Sequence, residues 1–373
     1  MALDTVPPGS PRGVGHDRTV GGVGSAVHAE VVVVGAGQAG LSAAYALHRA
    51  GADFVVLDAD DGPGGAWQHR WASLRLERAN GIADLPGMAL TGDPDERASV
   101  AMARYFAAYE EHYSLPVHRP VAVRRVTRTD DGYRLETSAG EWTARGLVNA
   151  TGTWSRPFWP AYPGRETFGG RQLHAADFRT AAEFAGQHVA VVGGGISALQ
   201  LLVEIAEVTT TSWLTRRPPV WREDDFDQDA GRAAVAMVAE RVRAGLPPAS
   251  VVSVTGLPVT DEVRRARARG VLDALPVFDR MTPAGLAWDG VDGSPARTLD
   301  VDVVLWATGF RAALEHLAPL HLRAPGGGIA VEGTAVVGEP RLHLVGYGPS
   351  ASTIGANRAG RSAVRELLAT LAG

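Results

Sequence analysis

Two segments of the chain each place a glycine-rich turn between a short β-branched run and an apolar helical stretch. The first segment reads EVVVV, GAGQAG and LSAAYALHRAG over residues 30–51, and the second reads HVAVV, GGGISA and LQLLVEIAEV over residues 188–208. A buried strand, a glycine turn and a helix begin a βαβ unit. Each segment also has a following strand, FVVLDAD at 54–60 and TSWLTRR at 211–217. The sequence therefore predicts two α/β units of the Rossmann type.

The first turn follows the pattern G-x-G-x-x-G, with Gly35, Gly37 and Gly40 in the three glycine positions. The first glycine lets the chain turn sharply, the second lets the backbone approach a pyrophosphate, and the third lets the helix pack against the strand. The pyrophosphate then binds the N–H groups at the start of the helix. Asp58 ends the next strand, where a carboxylate can accept hydrogen bonds from both ribose hydroxyls and would repel a 2′-phosphate.

The second turn has the same backbone pattern but a different strand end. Its glycine positions hold Gly193, Gly195 and Ala198, with Ser197 inside the turn. Arg216 and Arg217 stand where an acid would be, and guanidinium groups suit a 2′-phosphate. We therefore expect FAD at the first turn and NADPH at the second, with NADH bound more weakly.

Composition removes several classes of function. The net charge of −5 gives no reason to expect nucleic acid or an anionic membrane as a partner. The sequence has no Cys, which excludes iron–sulfur clusters, thiolate zinc sites and redox-active thiol pairs. All 36 basic residues are Arg, so a Schiff-base lysine is also excluded. No apolar run approaches the ~18 residues of a membrane span, and we expect a cytoplasmic protein.

Further motifs narrow the class of enzyme. Two dinucleotide folds in one chain are compatible with a disulfide reductase, a ferredoxin reductase or a flavin monooxygenase, and the missing Cys argues against the first. The remaining motifs are GPGGAW at 62–67, TFGGRQLHAADFR at 167–179, ATG at 150–152 and 307–309, and VGYGPSASTIGANRAGR at 345–361. With these motifs in this order, residues 28–373 resemble the flavin-containing monooxygenases (class B flavoprotein monooxygenases), especially the small bacterial members.

The resemblance implies an α/β fold with two Rossmann-like dinucleotide-binding domains, an FAD domain with an inserted NADPH domain. We place the FAD domain at residues 28–155 and 307–373 and the NADPH domain at 156–306. A helical excursion is expected over residues 222–290, and a flexible tail over residues 1–27. A homodimer is expected only from the frequency of dimers among soluble proteins.

The implied activity uses NADPH and O₂ to insert one oxygen atom into sulfur or nitrogen of a small organic substrate, through a C4a-hydroperoxyflavin. Asn80, in RANG, is the candidate catalytic residue whose amide would donate to the oxygenated flavin or to NADP⁺, but Asn-Gly is also a common turn dipeptide. His174 is expected to be structural, with its ring bonded to backbone, and Trp67 and Trp71 to pack beside the flavin.

The expected cofactor contacts come from the two turns, the strand ends and the motifs. They are, for FAD, Gly35, Gly37, Gln38, Ala39, Gly40, Asp58, Ala59, Gly65, Ala66, Trp67, Trp71, Ala150, Thr151, Gly152, Thr308, Gly309, Thr353 and Ile354, and, for NADPH, Gly193, Gly195, Ser197, Ala198, Arg216 and Arg217.

Other functions stay open at this point. An NADPH oxidase or diaphorase would use the same cofactors and release H₂O₂, and a Baeyer–Villiger enzyme would oxygenate a carbonyl substrate. The latter is less favoured because the motif at 167–179 ends in Phe-Arg where Baeyer–Villiger enzymes typically carry Trp. A flavin-based redox sensor that binds a partner protein is a third reading, for which the N-terminal segment offers no interaction motif. The acidic run at 223–229 lacks His and a regular spacing, so we interpret it as a solvated loop and expect no metal.

Overall fold

A computed structural model describes residues 26–79, 82–222, 228–248, 256–290 and 295–373. The strands are β1 Val27–Val34, β2 Phe54–Leu57, β3 Val117–His118, β4 Val123–Thr129, β5 Gly132–Thr137, β6 Gly140–Asn149, β7 Arg171–His174, β8 His188–Val192, β9 Thr210–Thr215, β10 Trp221–Arg222, β11 Leu257–Pro258, β12 Ala274–Pro276, β13 Arg280–Thr282, β14 Gly285–Trp288, β15 Arg297–Asp300, β16 Val303–Trp306, β17 Val331–Glu332, β18 Ala335–Val336 and β19 Glu339–Leu344. The α-helices are α1 Gln38–Ala50, α2 Ala98–His112, α3 Ile196–Ile205, α4 Gln228–Arg243, α5 Asp261–Ala268 and α6 Thr353–Ala372.

The first sheet contains the first glycine turn. Its path runs β17-β18-β19-β6-β1-β2-β3, and off this path β5 pairs with β6 and β4 pairs with β5. The pairs around β1 are parallel, as a βαβ connection requires. Alternate residues of β1 enter different layers, because Val31 and Val33 pack with the helices α1, α2 and α6 while Val32 and Val34 pack with the antiparallel strands behind. Burial on both faces explains why this strand is a continuous run of valine.

The second sheet is also built around a parallel strand that is buried on both faces. Its order is β12-β9-β8-β16-β7, and all four pairs are parallel. Val189 and Val191 of β8 face α3, whereas Ala190 and Val192 face a cluster of large aromatic residues on the opposite side. The antiparallel sheet β13-β14-β15 contributes to that second face. The parallel strands of the two sheets confirm the α/β fold class with two Rossmann-like units.

Two crossing segments join the sheets. The first follows β6 and the second follows β16, and each begins with Ala-Thr-Gly. They run against each other and form three backbone hydrogen bonds, from Ala313 N to Gly152 O (3.0 Å), from Arg311 N to Arg156 O (2.8 Å) and from Phe158 N to Gly309 O (2.9 Å). The two connections between the sheets therefore form one ribbon.

The segment predicted as a helical excursion is more varied than expected. Its described residues contain α4 and α5, but also β12, which pairs with β9 and so extends the second sheet. The apolar run that forms β12 is three residues long, too short to show a strand period. The proposed domain boundaries remain a prediction from the sequence.

Candidate functional site

The first glycine turn brings three stretches of backbone into close contact. A Cβ atom on Gly40 would lie 1.8 Å from Gly35 O, and one on Gly65 would lie 2.8 Å from Gly37 Cα. Gly35 has a φ of 99° and a Cβ there would lie 2.7 Å from Ala150 O. The turn, the Gly64–Gly65 loop and the first crossing segment therefore meet as bare backbone, which leaves room for a phosphate against α1.

The start of α1 is available to an anion. The residue before the helix is Gly37, which has no side chain to cap the first turn. The first N–H groups of a helix have no acceptor within the helix, and they carry its positive dipole end. The backbone here fits a pyrophosphate, as the sequence pattern predicts.

Asp58 is buried and held by a cation. Its Oδ2 accepts from Arg119 Nε at 2.7 Å, and the same guanidinium donates twice to Glu110, at 2.6 and 2.8 Å. Only 6% of Asp58 is exposed. Among the described residues, no hydrogen bond occupies Asp58 Oδ1, so this oxygen can accept from a ribose hydroxyl.

Gln38 offers a second open acceptor near the start of α6. Its Nε2 donates to Ala83 O at 3.1 Å and to Asn357 Oδ1 at 3.0 Å, which fixes the amide. Its Oε1 is buried without a hydrogen-bond partner. An unsatisfied buried acceptor costs about 1–3 kcal/mol, so a ligand donor at this point would be stabilising. Ile354, in the first turn of α6, is an apolar side chain that is 62% exposed, which suits a flat apolar ring lying against it.

The second glycine turn has the same path with more space. Gly193 has a φ of 149°, and a Cβ there would lie 2.2 Å from Ala307 O in the second crossing segment. At Gly195, by contrast, a Cβ would meet nothing within 4 Å. Helix α3 begins at Ile196 with no side-chain cap, and Ala198 is fully buried against the sheet. Arg216 and Arg217 follow β9 directly, and both are exposed.

His174 ties the second sheet to the second crossing segment. Its Nε2 donates to Gly309 O at 3.1 Å, and its Nδ1 accepts from Ala176 N at 3.1 Å. Burial lowers the pKa of His174, which keeps the ring neutral with the proton on Nε2. The prediction that the ring is bonded to backbone is confirmed.

Aromatic side chains gather where the crossing segments meet the Gly64–Gly65 loop. Trp154 stacks against Phe310 with centroids 5.0 Å apart, and against His69 with centroids 5.8 Å apart. Arg70 lies over two indoles, with its Cζ 4.8 Å from the Trp154 centroid and 5.5 Å from that of Trp67. We call this set, Trp67, His69, Arg70, Trp154 and Phe310, the crossing cluster.

The remaining residues predicted to contact a cofactor lie in different surroundings. Ala39 packs in the core beside the first turn, Trp71 is buried against Phe178, and Thr151 bonds Ala313 O. Ala59 and Ala66 are exposed, Ser197 is half-buried, and the Thr308 hydroxyl donates to Phe158 O while Thr353 Oγ1 accepts from Ala83 N. Asn80, the candidate catalytic residue, lies outside the described residues, as do residues 223–227 of the acidic run.

Sequence reasoning missed Arg70 and Arg119. Each is one of 36 arginines, and its surroundings come from residues distant in the chain, so no local pattern marks it. In the part of the chain that the structure describes, no three His, Cys, Asp or Glu side chains form a group that could hold a metal ion. None of the described helices is both long and apolar enough to span a membrane.

Comparison with known proteins gives consistent matches. Residues 32–246 match the family model described as pyridine nucleotide-disulphide oxidoreductase. The solved structure of a flavin-containing monooxygenase from Stenotrophomonas maltophilia is 39% identical and has a TM-score of 0.78, over 92% of this chain and 99% of that one.

More distant relatives include two bacterial oxidoreductases. An uncharacterized oxidoreductase, CzcO, from Bacillus velezensis is 26% identical over 76% of this chain and 82% of its own length. A Baeyer–Villiger monooxygenase from Streptomyces coelicolor is 30% identical over 65% of this chain but only 45% of its own length.

Proposed function

The chain belongs to the pyridine nucleotide-disulphide oxidoreductase family and, within it, to the flavin-containing monooxygenases, and we propose that it uses FAD and NADPH to oxygenate sulfur or nitrogen in a small organic substrate. One atom of O₂ enters the substrate and the other leaves as water, with two electrons supplied by NADPH. The observation that carries the proposal is the pair of glycine turns whose strand ends have opposite charge, Asp58 in one and Arg216–Arg217 in the other.

The residues of the first turn would hold FAD. The N–H groups at the start of α1 would bind its pyrophosphate, and Asp58 Oδ1 would accept from its ribose. Gln38 Oε1 would gain a partner, and the exposed Ile354 would be covered. When bound, FAD supplies the redox and oxygen chemistry, while the protein supplies position and dryness.

The residues of the second turn would hold NADPH. The start of α3, including the N–H of Ser197, would bind the pyrophosphate, and the exposed guanidinium groups of Arg216 and Arg217 would bind the 2′-phosphate. His174 would act as a positioning residue, because its hydrogen bond to Gly309 O fixes the crossing segment between the two sites. Trp67 and Trp71 would exclude water by packing, and Asn80 remains our proposed hydrogen-bond donor at the reacting centre.

Product analysis tests this function. The purified flavoprotein is supplied with NADPH, ¹⁸O₂ and methyl phenyl sulfide, and sulfoxide, NADP⁺ and H₂O₂ are quantified. We expect sulfoxide that carries one ¹⁸O atom, in roughly one-to-one ratio with the NADPH consumed. If H₂O₂ accounts for all the NADPH and no oxygenated product forms from sulfides, amines or ketones, the protein is an NADPH oxidase. Conversion of a cyclic ketone to its lactone, without sulfoxide formation, would instead establish the Baeyer–Villiger alternative.

A further inference from the structure

The guanidinium of Arg70 is largely enclosed and lacks a counter-ion. Its Nε is buried without a hydrogen-bond partner, and within the described residues none of the ion pairs or side-chain hydrogen bonds involves this side chain. The backbone N–H of Arg70 donates to Trp67 O, which fixes the residue in a turn beside the Gly64–Gly65 loop. Burial lowers the pKa of Arg70, but an arginine remains a cation.

Arg119, another arginine that is mostly buried, has carboxylate partners, because its guanidinium binds Asp58 and Glu110. Asp60, which belongs to the same loop region as Arg70, is already occupied, since its Oδ1 contacts His69 Nε2 at 3.1 Å and its Oδ2 accepts from Gln68 Nε2 at 3.0 Å. An enclosed charge without a partner is destabilising, and the two indoles compensate only partly.

The geometry of the crossing cluster indicates which kind of ligand would pair with Arg70. A guanidinium that lies over indole faces still presents its N–H donors at its edge, in the fork that matches a carboxylate. The neighbours of Arg70 are aromatic, because Trp154 also contacts His69 and Phe310, and Phe310 contacts His174. An aromatic enclosure with a single cation suits a ligand that has an apolar body and one anionic group.

The location of the cluster points to the substrate. Trp154 and Phe310 stand just past Gly152 and Gly309, so the cluster includes residues from both crossing segments that join the two sheets. Under the proposed function, the phosphates of both nucleotides would have other donors, namely the starts of α1 and α3 and the Arg216–Arg217 pair. Neither nucleotide therefore requires Arg70 as a phosphate donor, and its guanidinium is available to a third ligand.

We propose that Arg70 binds the carboxylate of the substrate, and that the substrate is a small aromatic or apolar molecule that carries such a group. This assignment rests on the proposed monooxygenase function, for which it names the substrate class. Arg70 is a binding residue that selects and orients the substrate, with its N–H donors on the carboxylate and the crossing cluster around the apolar body.

The test compares two sulfides that differ by one carboxylate. Methyl phenyl sulfide and (phenylthio)acetate are titrated into the flavoprotein in the presence of NADP⁺, with binding followed by calorimetry and without turnover. We expect (phenylthio)acetate to bind at least about tenfold more tightly, a difference of ~1.4 kcal/mol. The variant Arg70→Met should raise its Kd by about tenfold or more and leave that of methyl phenyl sulfide within about twofold, and Arg70→Lys should fall between.

Matched controls keep the result interpretable. Arg134→Met removes an exposed arginine of β5 that pairs with Glu141, and both dissociation constants should stay unchanged. The flavin content of Arg70→Met and its Kd for methyl phenyl sulfide report whether the variant is folded. The comparison of the two sulfides in the unaltered protein does not depend on any variant.

Two outcomes overturn the proposal. Equal affinity of the two sulfides for the unaltered protein would remove the carboxylate preference. An Arg70→Met variant that loses NADP⁺ affinity, but keeps its preference for (phenylthio)acetate, would assign the anion to the coenzyme. Because binding is measured without oxygenation, these outcomes are separate from a failure to find ¹⁸O in the product, which would contradict the monooxygenase function itself.

Discussion

The two glycine turns share a backbone path and differ in tightness and in charge. In the first turn Gly40 lies against Gly35 O so closely that no side chain fits, whereas Ala198 fills the equivalent position of the second turn. The first strand ends in a buried carboxylate and the second in exposed guanidinium groups. Under the proposed function, the shared turn would bind the pyrophosphate, while the different strand ends would determine which nucleotide fits.

Substitution of Gly40 by alanine should have the largest effect on this comparison. In a helix alanine is ordinarily better than glycine by about 1 kcal/mol. Here the new Cβ would lie 1.8 Å from a backbone oxygen, which no side-chain rotation can relieve. We expect a loss of about 4 kcal/mol or more in the free energy of unfolding, with loss of bound flavin, as measured by urea denaturation and flavin absorbance.

The matched substitution in the second turn is Gly195→Ala. Its Cβ meets no protein atom within 4 Å, so the free energy of unfolding should change by less than about 1 kcal/mol. The Cβ would stand where the pyrophosphate approaches, so the Kd for NADPH should rise by about tenfold. Equal stability of the Gly40→Ala variant and the unaltered protein would show that the first turn is not tighter than the second.

Removal of the cation at the first strand end should have the next largest effect. Arg119→Met leaves Asp58 and Glu110 enclosed without the guanidinium that both contact. We expect a loss of about 3 kcal/mol in the free energy of unfolding of the apoprotein, measured in urea. The control Arg134→Met breaks an exposed pair with Glu141 and should cost at most about 0.5 kcal/mol. Similar losses in both variants would argue against a special role for the buried triad.

Neutralisation of the second strand end should change coenzyme choice with little effect on stability. The double variant Arg216→Ala and Arg217→Ala should lower kcat/KM for NADPH by about 10- to 100-fold and leave that for NADH within about twofold, because only NADPH carries the 2′-phosphate. Steady-state kinetics with both coenzymes measures this ratio. An equal loss with NADPH and NADH would mean that these arginines contact a part that the coenzymes share.

The features that could be predicted from the sequence are those that depend on local residue patterns. The run Val31–Val34 alternates between two buried layers, and its β-branched residues by themselves indicate a strand buried on both faces. The glycine positions also predict the two turns, since Gly35 and Gly193 adopt positive φ values and lie against neighbouring backbone. The resemblance to a family predicts that the His174 ring is bonded to backbone, and the structure identifies the partner as Gly309 O.

The features that sequence reasoning missed depend on contacts between distant residues. Arg119 meets Asp58 across 61 positions of chain, and nothing in the run HRPV distinguishes it from other arginines. Arg70 has its aromatic surroundings only because the first crossing segment brings Trp154 to it. Strand β12 is too short to show a period, and it exists because β9 offers an open edge.

The hydrogen-bonded ribbon between the sheets also limits how the two halves of the molecule can move. Two strands that bond to each other resist sliding, because any shear would break the three bonds between Gly152–Phe158 and Gly309–Ala313. Sliding of one half past the other is therefore disfavoured as long as these bonds remain, so backbone as well as side chains maintains the spacing between the two glycine turns.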